Sequence, residues 1–127
     1  MPRVKIETNV SLTTERKQLL LATVLDAVVS ALELVPDDRT GSVTVFDEIA
    51  FRMKPPYRYF IEICLFVGRS KDVKKRLFAA ILDRLKQRMG ISPESVMIML
   101  NEQPRENWCL RGGIPADEIN FDYVIEK

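Results

Sequence analysis

Hydrophobic and polar positions change period several times along the chain. In residues 2–8, Val4 and Ile6 alternate with Arg3, Lys5 and Glu7, the period-two pattern of a half-buried strand. Asn9 to Thr14 supplies a turn, with Thr13 placed to cap a helix and Glu15 in its first turn. From Leu19 to Leu34 the period becomes helical: Leu20, Val24, Val28, Ala31 and Leu32 share one stripe, widened by Leu21 and Leu25. Pro36 and Asp37-Asp38-Arg39 end that helix. Ser42 to Phe46, with Val43, Thr44 and Val45, predicts a second strand, and residues 48–56 a loop ending in Pro55-Pro56.

The pattern then starts again. Tyr57 to Val67 alternates, with Tyr59, Ile61, Ile63 and Leu65 on one face. Gly68-Arg69-Ser70 is a turn, and Ser70 caps a helix in which Val73, Leu77, Ile81, Leu85 and Met89 recur every fourth residue. Gly90 stands where a helix end takes a left-handed residue. Val96 to Leu100 predicts a strand, with a buried helix piece as the alternative for so continuous an apolar run, and Asn101 to Pro115 a loop. Ile119, Phe121, Tyr123 and Ile125 suggest a short final strand. Leu25-Asp26 matches Leu82-Asp83, and Pro36-Asp37 matches Pro93-Glu94, both at an offset of 57. The chain therefore reads as an α+β protein of two tandem βαβ units, residues 2–47 and 57–101, followed by a C-terminal loop and short strand over 102–127, in one domain spanning 1–127. Right-handed crossovers give each unit a parallel strand pair. The expected product is a four-stranded mixed sheet with two helices on one face. Its other face needs cover, and a second subunit is the natural candidate.

Composition narrows the chemistry. The 127 residues carry 19 Lys and Arg against 18 Asp and Glu, a net charge of +1 that gives no electrostatic case for nucleic acid or an anionic membrane as partner. There is no histidine, which removes Ser-His-Asp and Cys-His catalysis and His-containing zinc sites. Cys64 and Cys109 are too few for a disulfide framework or a metal cage. Charges lie where a signal peptide needs its apolar stretch, and no apolar run approaches the ~18 residues of a membrane span. A cytoplasmic location is the expectation.

With histidine absent, acid-base work falls to carboxylates, lysine, tyrosine, thiols or a terminal amine. Pro2 follows the initiator Met1, and loss of methionine before a small residue would expose a secondary amine. An α-amine titrates near ~7.7–8. An apolar pocket or a nearby cation lowers that value, leaving a neutral base at pH 7.

Here the chain resembles the tautomerase superfamily, which includes 4-oxalocrotonate tautomerase, macrophage migration inhibitory factor and malonate semialdehyde decarboxylase. The likeness rests on Met1-Pro2 opening a strand and on the two βαβ units. It also rests on Ile61-Glu62-Ile63, Phe66-Val67-Gly68-Arg69-Ser70, Lys74-Lys75-Arg76-Leu77, Gly90 to Val96 and Glu102 to Trp108 in that order. The resemblance implies a homotrimer without metal or organic cofactor. Pro2 is then the catalytic base that moves a proton between oxygen and carbon of a small carboxylated carbonyl compound. It also implies that Arg69 binds the substrate carboxylate, that Asp38 positions water or meets the proline ammonium, and that Trp108 lines the pocket. Each has a plainer alternative: a solvated turn arginine, a helix-ending aspartate, a buried aromatic anchor. In malonate semialdehyde decarboxylase a second arginine accompanies the first, and the corresponding position here is Val67. The expected activity is thus keto-enol tautomerisation of 2-keto acids. The alternatives are a decarboxylase or hydratase, or a non-catalytic trimer that binds a ligand or protein. Cys109 is a weaker nucleophile candidate, Cys64 reads as packed, and Arg105 and Arg111 read as solvated loop residues.

Overall fold

In the computed structural model, which describes residues 2–121, the apolar stripes converge on one core. β1 (Arg3–Thr8) leads into α1 (Thr14–Ala31) and β2 (Gly41–Val45); β3 (Tyr59–Phe66) leads into α2 (Lys71–Met89) and β4 (Val96–Gln103). The strand order is β2-β1-β3-β4. β1 pairs parallel with β2 and β3 with β4, while the central β1–β3 pair is antiparallel, so the sheet is mixed as expected. Val4, Ile6, Ile61, Ile63 and Leu65 point to the covered face, where they meet Leu20, Val24 and Val28 of α1 and Leu77, Ile81 and Leu85 of α2.

Both helices start on the predicted caps. Thr13 accepts a hydrogen bond from the Arg16 amide, and Ser70 from that of Val73. α1 begins five residues before its apolar stripe, because Thr14–Gln18 is a polar first turn that only the cap announces. β4 outruns its prediction by three residues: Asn101, Glu102 and Gln103 pair with Cys64, Leu65 and Phe66, and side-chain bonds of Asn101 to Glu62 and of Lys74 to Glu102 add to the ladder. The expected loop beyond holds a small hairpin, β5 (Cys109–Leu110) with β6 (Ile114–Pro115). Of the final-strand residues, Ile119 is buried after a 3₁₀ turn and Phe121 is half-buried, neither in a strand; Tyr123 and Ile125 lie outside the described residues. No helix among the described residues is long and apolar enough to cross a membrane.

Candidate active site

The antiparallel β1–β3 register decides what can meet Pro2. Arg3 pairs with Cys64, so the start of β1 lies beside the end of β3. On the other flank the Val4 amide donates to the Thr40 carbonyl at 2.9 Å, which brings the turn containing Asp38 to the same end. The Val67 amide donates to the Gln103 carbonyl at 3.1 Å, which brings the segment leading to Trp108 there as well. Four stretches distant in sequence thus share one end of the sheet: the N-terminus, the turn before β2, the turn before α2 and the segment after β4.

Pro2 is buried and continues the covered face of Val4 and Ile6. Arg69 is only 6% exposed, and its Nη1 donates to the Phe66 carbonyl at 3.3 Å. It is therefore packed into the protein rather than solvated. Asp38 is half-buried, with its amide donating to the Val35 carbonyl at 3.0 Å. Its neighbour Arg39 turns away, pairing with Asp26 of α1 at 2.7 Å. Trp108 packs edge-on against the fully buried Phe66 ring, centroids 5.4 Å apart. Its Nε1 is buried and has no hydrogen-bond partner among the described residues. A buried donor without an acceptor is rare.

Arg105 departs from its reading as a solvated loop residue. Its Nη2 donates to the carbonyls of Ala116 and Ile119, both at 3.1 Å, and its guanidinium lies 6.0 Å from the Phe66 ring centroid and 5.5 Å from that of Phe121. It ties the C-terminal segment onto the end of β3. Its partners lie 11 and 14 residues downstream, beyond any local pattern. Cys64 is half-buried on the uncovered sheet face, and Cys109 is exposed. On that face Asn101 donates to Glu62 at 3.3 Å, Gln103 to Asn101 at 2.9 Å and Asn107 to Gln103 at 3.0 Å. The polar chain leads towards the site. Among the described residues no cluster of Cys, Asp and Glu could hold a metal ion.

A family model described as tautomerase enzyme matches residues 43–111, more than half of the chain. This protein belongs to the tautomerase family. The matched stretch contains Arg69 and Trp108, while Pro2 and Asp38 lie before it. A curated relative, 2-hydroxymuconate tautomerase of Comamonas testosteroni, is 28% identical over 60 residues, 47% of this chain and 94% of the relative. Among solved structures, FG41 malonate semialdehyde decarboxylase inhibited by 3-bromopropiolate superposes with a TM-score of 0.79 at 22% identity, over 88% of this chain and 91% of that one. Native fused 4-OT superposes with a TM-score of 0.80 at 18% identity, over 91% and 96%. These likenesses establish the tautomerase fold, and the family membership makes the chain a tautomerase-superfamily enzyme.

Proposed function

We propose that this tautomerase-family protein is a cofactor-independent keto-enol tautomerase of small 2-keto acids, with Pro2 as general base after removal of Met1. The observation that carries the reading is the convergence of Pro2, Asp38, Arg69 and Trp108 on one end of the sheet. The neutral secondary amine of Pro2 takes the enol hydroxyl proton and returns it to the adjacent carbon, a net isomerisation. Arg69 binds the substrate carboxylate, and its positive charge favours the neutral form of the amine. The buried Trp108 indole N–H donates to a substrate oxygen, and Asp38 hydrogen-bonds the transient prolinium. Known fused 4-OT trimers share the fold, and the uncovered sheet face of this chain suits the same assembly. Decarboxylation in the manner of malonate semialdehyde decarboxylase is less well supported, because Val67, 45% exposed, takes the position of that enzyme's second arginine.

The test is ketonisation of phenylenolpyruvate by the untagged protein beside Pro2→Ala, with intact mass to establish the N-terminus. General acid-base catalysis contributes about 10²–10⁴-fold, and the variant is expected to lose that much of kcat/KM. Equal background rates in both proteins overturn the reading and make malonate semialdehyde the next substrate.

A further inference from the structure

The sheet has a second end, opposite Pro2, where a cavity of about 500 Å³ opens between the start of α1, the start of β3 and the segment after α2. That volume lies within the ~300–1,000 Å³ of small-molecule sites. Tyr59 lines it and is 8% exposed. Burial pushes the Tyr59 phenol up from its ordinary value, so at pH 7 it remains a neutral donor. Arg16 and Arg58 also line the space, and both act electrostatically on Tyr59. Arg16 Nη2 donates to the Met89 carbonyl at 3.2 Å, which fixes that guanidinium at the rim. The Arg58 backbone is held on both sides, its amide donating to the Ser95 carbonyl and its carbonyl accepting from Thr8 Oγ1, each at 2.7 Å. Leu12, Met89 and Ile91 supply an apolar wall.

The internal repeat explains why a hollow forms here. At the offset of 57, Pro2 corresponds to Tyr59, so this cavity is the second unit's counterpart of the N-terminal end. It has no terminal amine, which leaves binding without proton transfer.

We propose that this cavity is a binding site for a small organic anion, whose carboxylate meets Arg16, Arg58 and the Tyr59 hydroxyl while its apolar body packs on Leu12, Met89 and Ile91. Two guanidinium groups and a phenol donor match a carboxylate's acceptors, and the mixed lining favours a body that is not fully polar. The site is independent of the chemistry at Pro2.

Titration of ¹⁵N-labelled protein with phenylacetate, followed by amide shifts, tests it. Saturable shifts at residues 12–16, at Arg58 and at residues 90–92 are expected, and they persist in Pro2→Ala. Arg58→Gln, at an exposed position, weakens binding about tenfold, and Tyr59→Phe, which keeps the ring, weakens it about threefold. Inorganic phosphate, lacking an apolar body, binds more weakly than phenylacetate. Shifts confined to the Arg69 and Trp108 end overturn the proposal, as does unaltered affinity in both variants. Phosphate binding as tightly as phenylacetate overturns the assignment to an organic anion.

Discussion

Arg69 is the one charged side chain among the buried residues described, and its burial calls for compensation. The Phe66 carbonyl accepts one of its hydrogen bonds, and the residue has further interactions within the fold. A bound carboxylate matches the guanidinium fork better than a carbonyl does, because it accepts two parallel bonds. Arg69→Gln is therefore expected to raise KM for phenylenolpyruvate about 10- to 100-fold with a smaller change in kcat, and Arg69→Lys to recover only part of the loss. Steady-state kinetics together with thermal unfolding separates the readings, since a residue that only clamps its turn lowers Tm and leaves KM alone. Trp108→Phe retains the edge-on packing against Phe66 but deletes the indole donor. If that donor serves substrate, kcat/KM falls about fivefold while stability barely moves, as expected for loss of one hydrogen bond of ~1 kcal/mol.

Among the elements, the two helix ends show how far the repeat extends. Gly90 closes α2 at φ 68°, a conformation glycine adopts without cost. Glu33, 57 residues earlier, sits at φ 53° beyond α1. The same left-handed stop is made there by a residue whose Cβ disfavours it. Asp26 of α1 joins the two halves by accepting from Arg88 of α2 and from Arg39, each at 2.7 Å. The Arg88 hydrogen bond, helped by Arg39 and opposed by partial burial, holds its carboxyl below the usual carboxylate value. Stability from Asp26 is thus present above its unfolded pKa of ~3.9 and is lost as pH falls through the lower folded value. Asp26→Asn, at a partly exposed site, is expected to cost about 1 kcal/mol near pH 7 in urea unfolding, with the gap to the parent closing below pH 4. The alternation of β1 and β3, the fourfold spacing of α2 and the caps Thr13, Ser70 and Gly90 were all legible in sequence, because each is a local pattern with a local cause. The end of β4 was not, because Asn101, Glu102 and Gln103 have no strand-like composition and are held by the neighbouring backbone. Arg105 was missed for a related reason: only tertiary folding brings the carbonyls of Ala116 and Ile119 to it. For the site, sequence supplied the candidates, while their convergence depends on the antiparallel β1–β3 register, which two parallel βαβ units leave open.

At the scale of the whole molecule, both helices cover one face of the sheet and leave the other uncovered within the subunit. That face displays Met97, 38% exposed, and Met99, 44% exposed, beside half-buried Phe60 and Cys64, interrupted by the Glu62–Asn101 hydrogen bond. The face is thus divided, with methionines and an aromatic ring on β3 and β4 and the charged side chains of Arg3, Lys5 and Glu7 on β1, and its apolar half suits burial against copies of itself. Association through a closed ring would cover all copies equally. The proposed trimer is expected to sediment at three times the 14.6 kDa subunit mass. Met99→Glu sets a charge beside Glu62, its β3 pairing partner, on this same face. In the assembled face that charge would be stripped of water, and Lys5, which flanks Glu62 on the β1 side, stands one strand further away, so the variant is expected to sediment as a monomer while keeping the far-ultraviolet signature of the fold. If the site is closed by a neighbouring subunit, ketonisation falls with dissociation and returns when high protein concentration restores the trimer. If the site is complete within one chain, activity per subunit is unchanged in the monomer. A parent protein that already sediments as a monomer refutes the assembly, and the open face must then be stable in water as it stands.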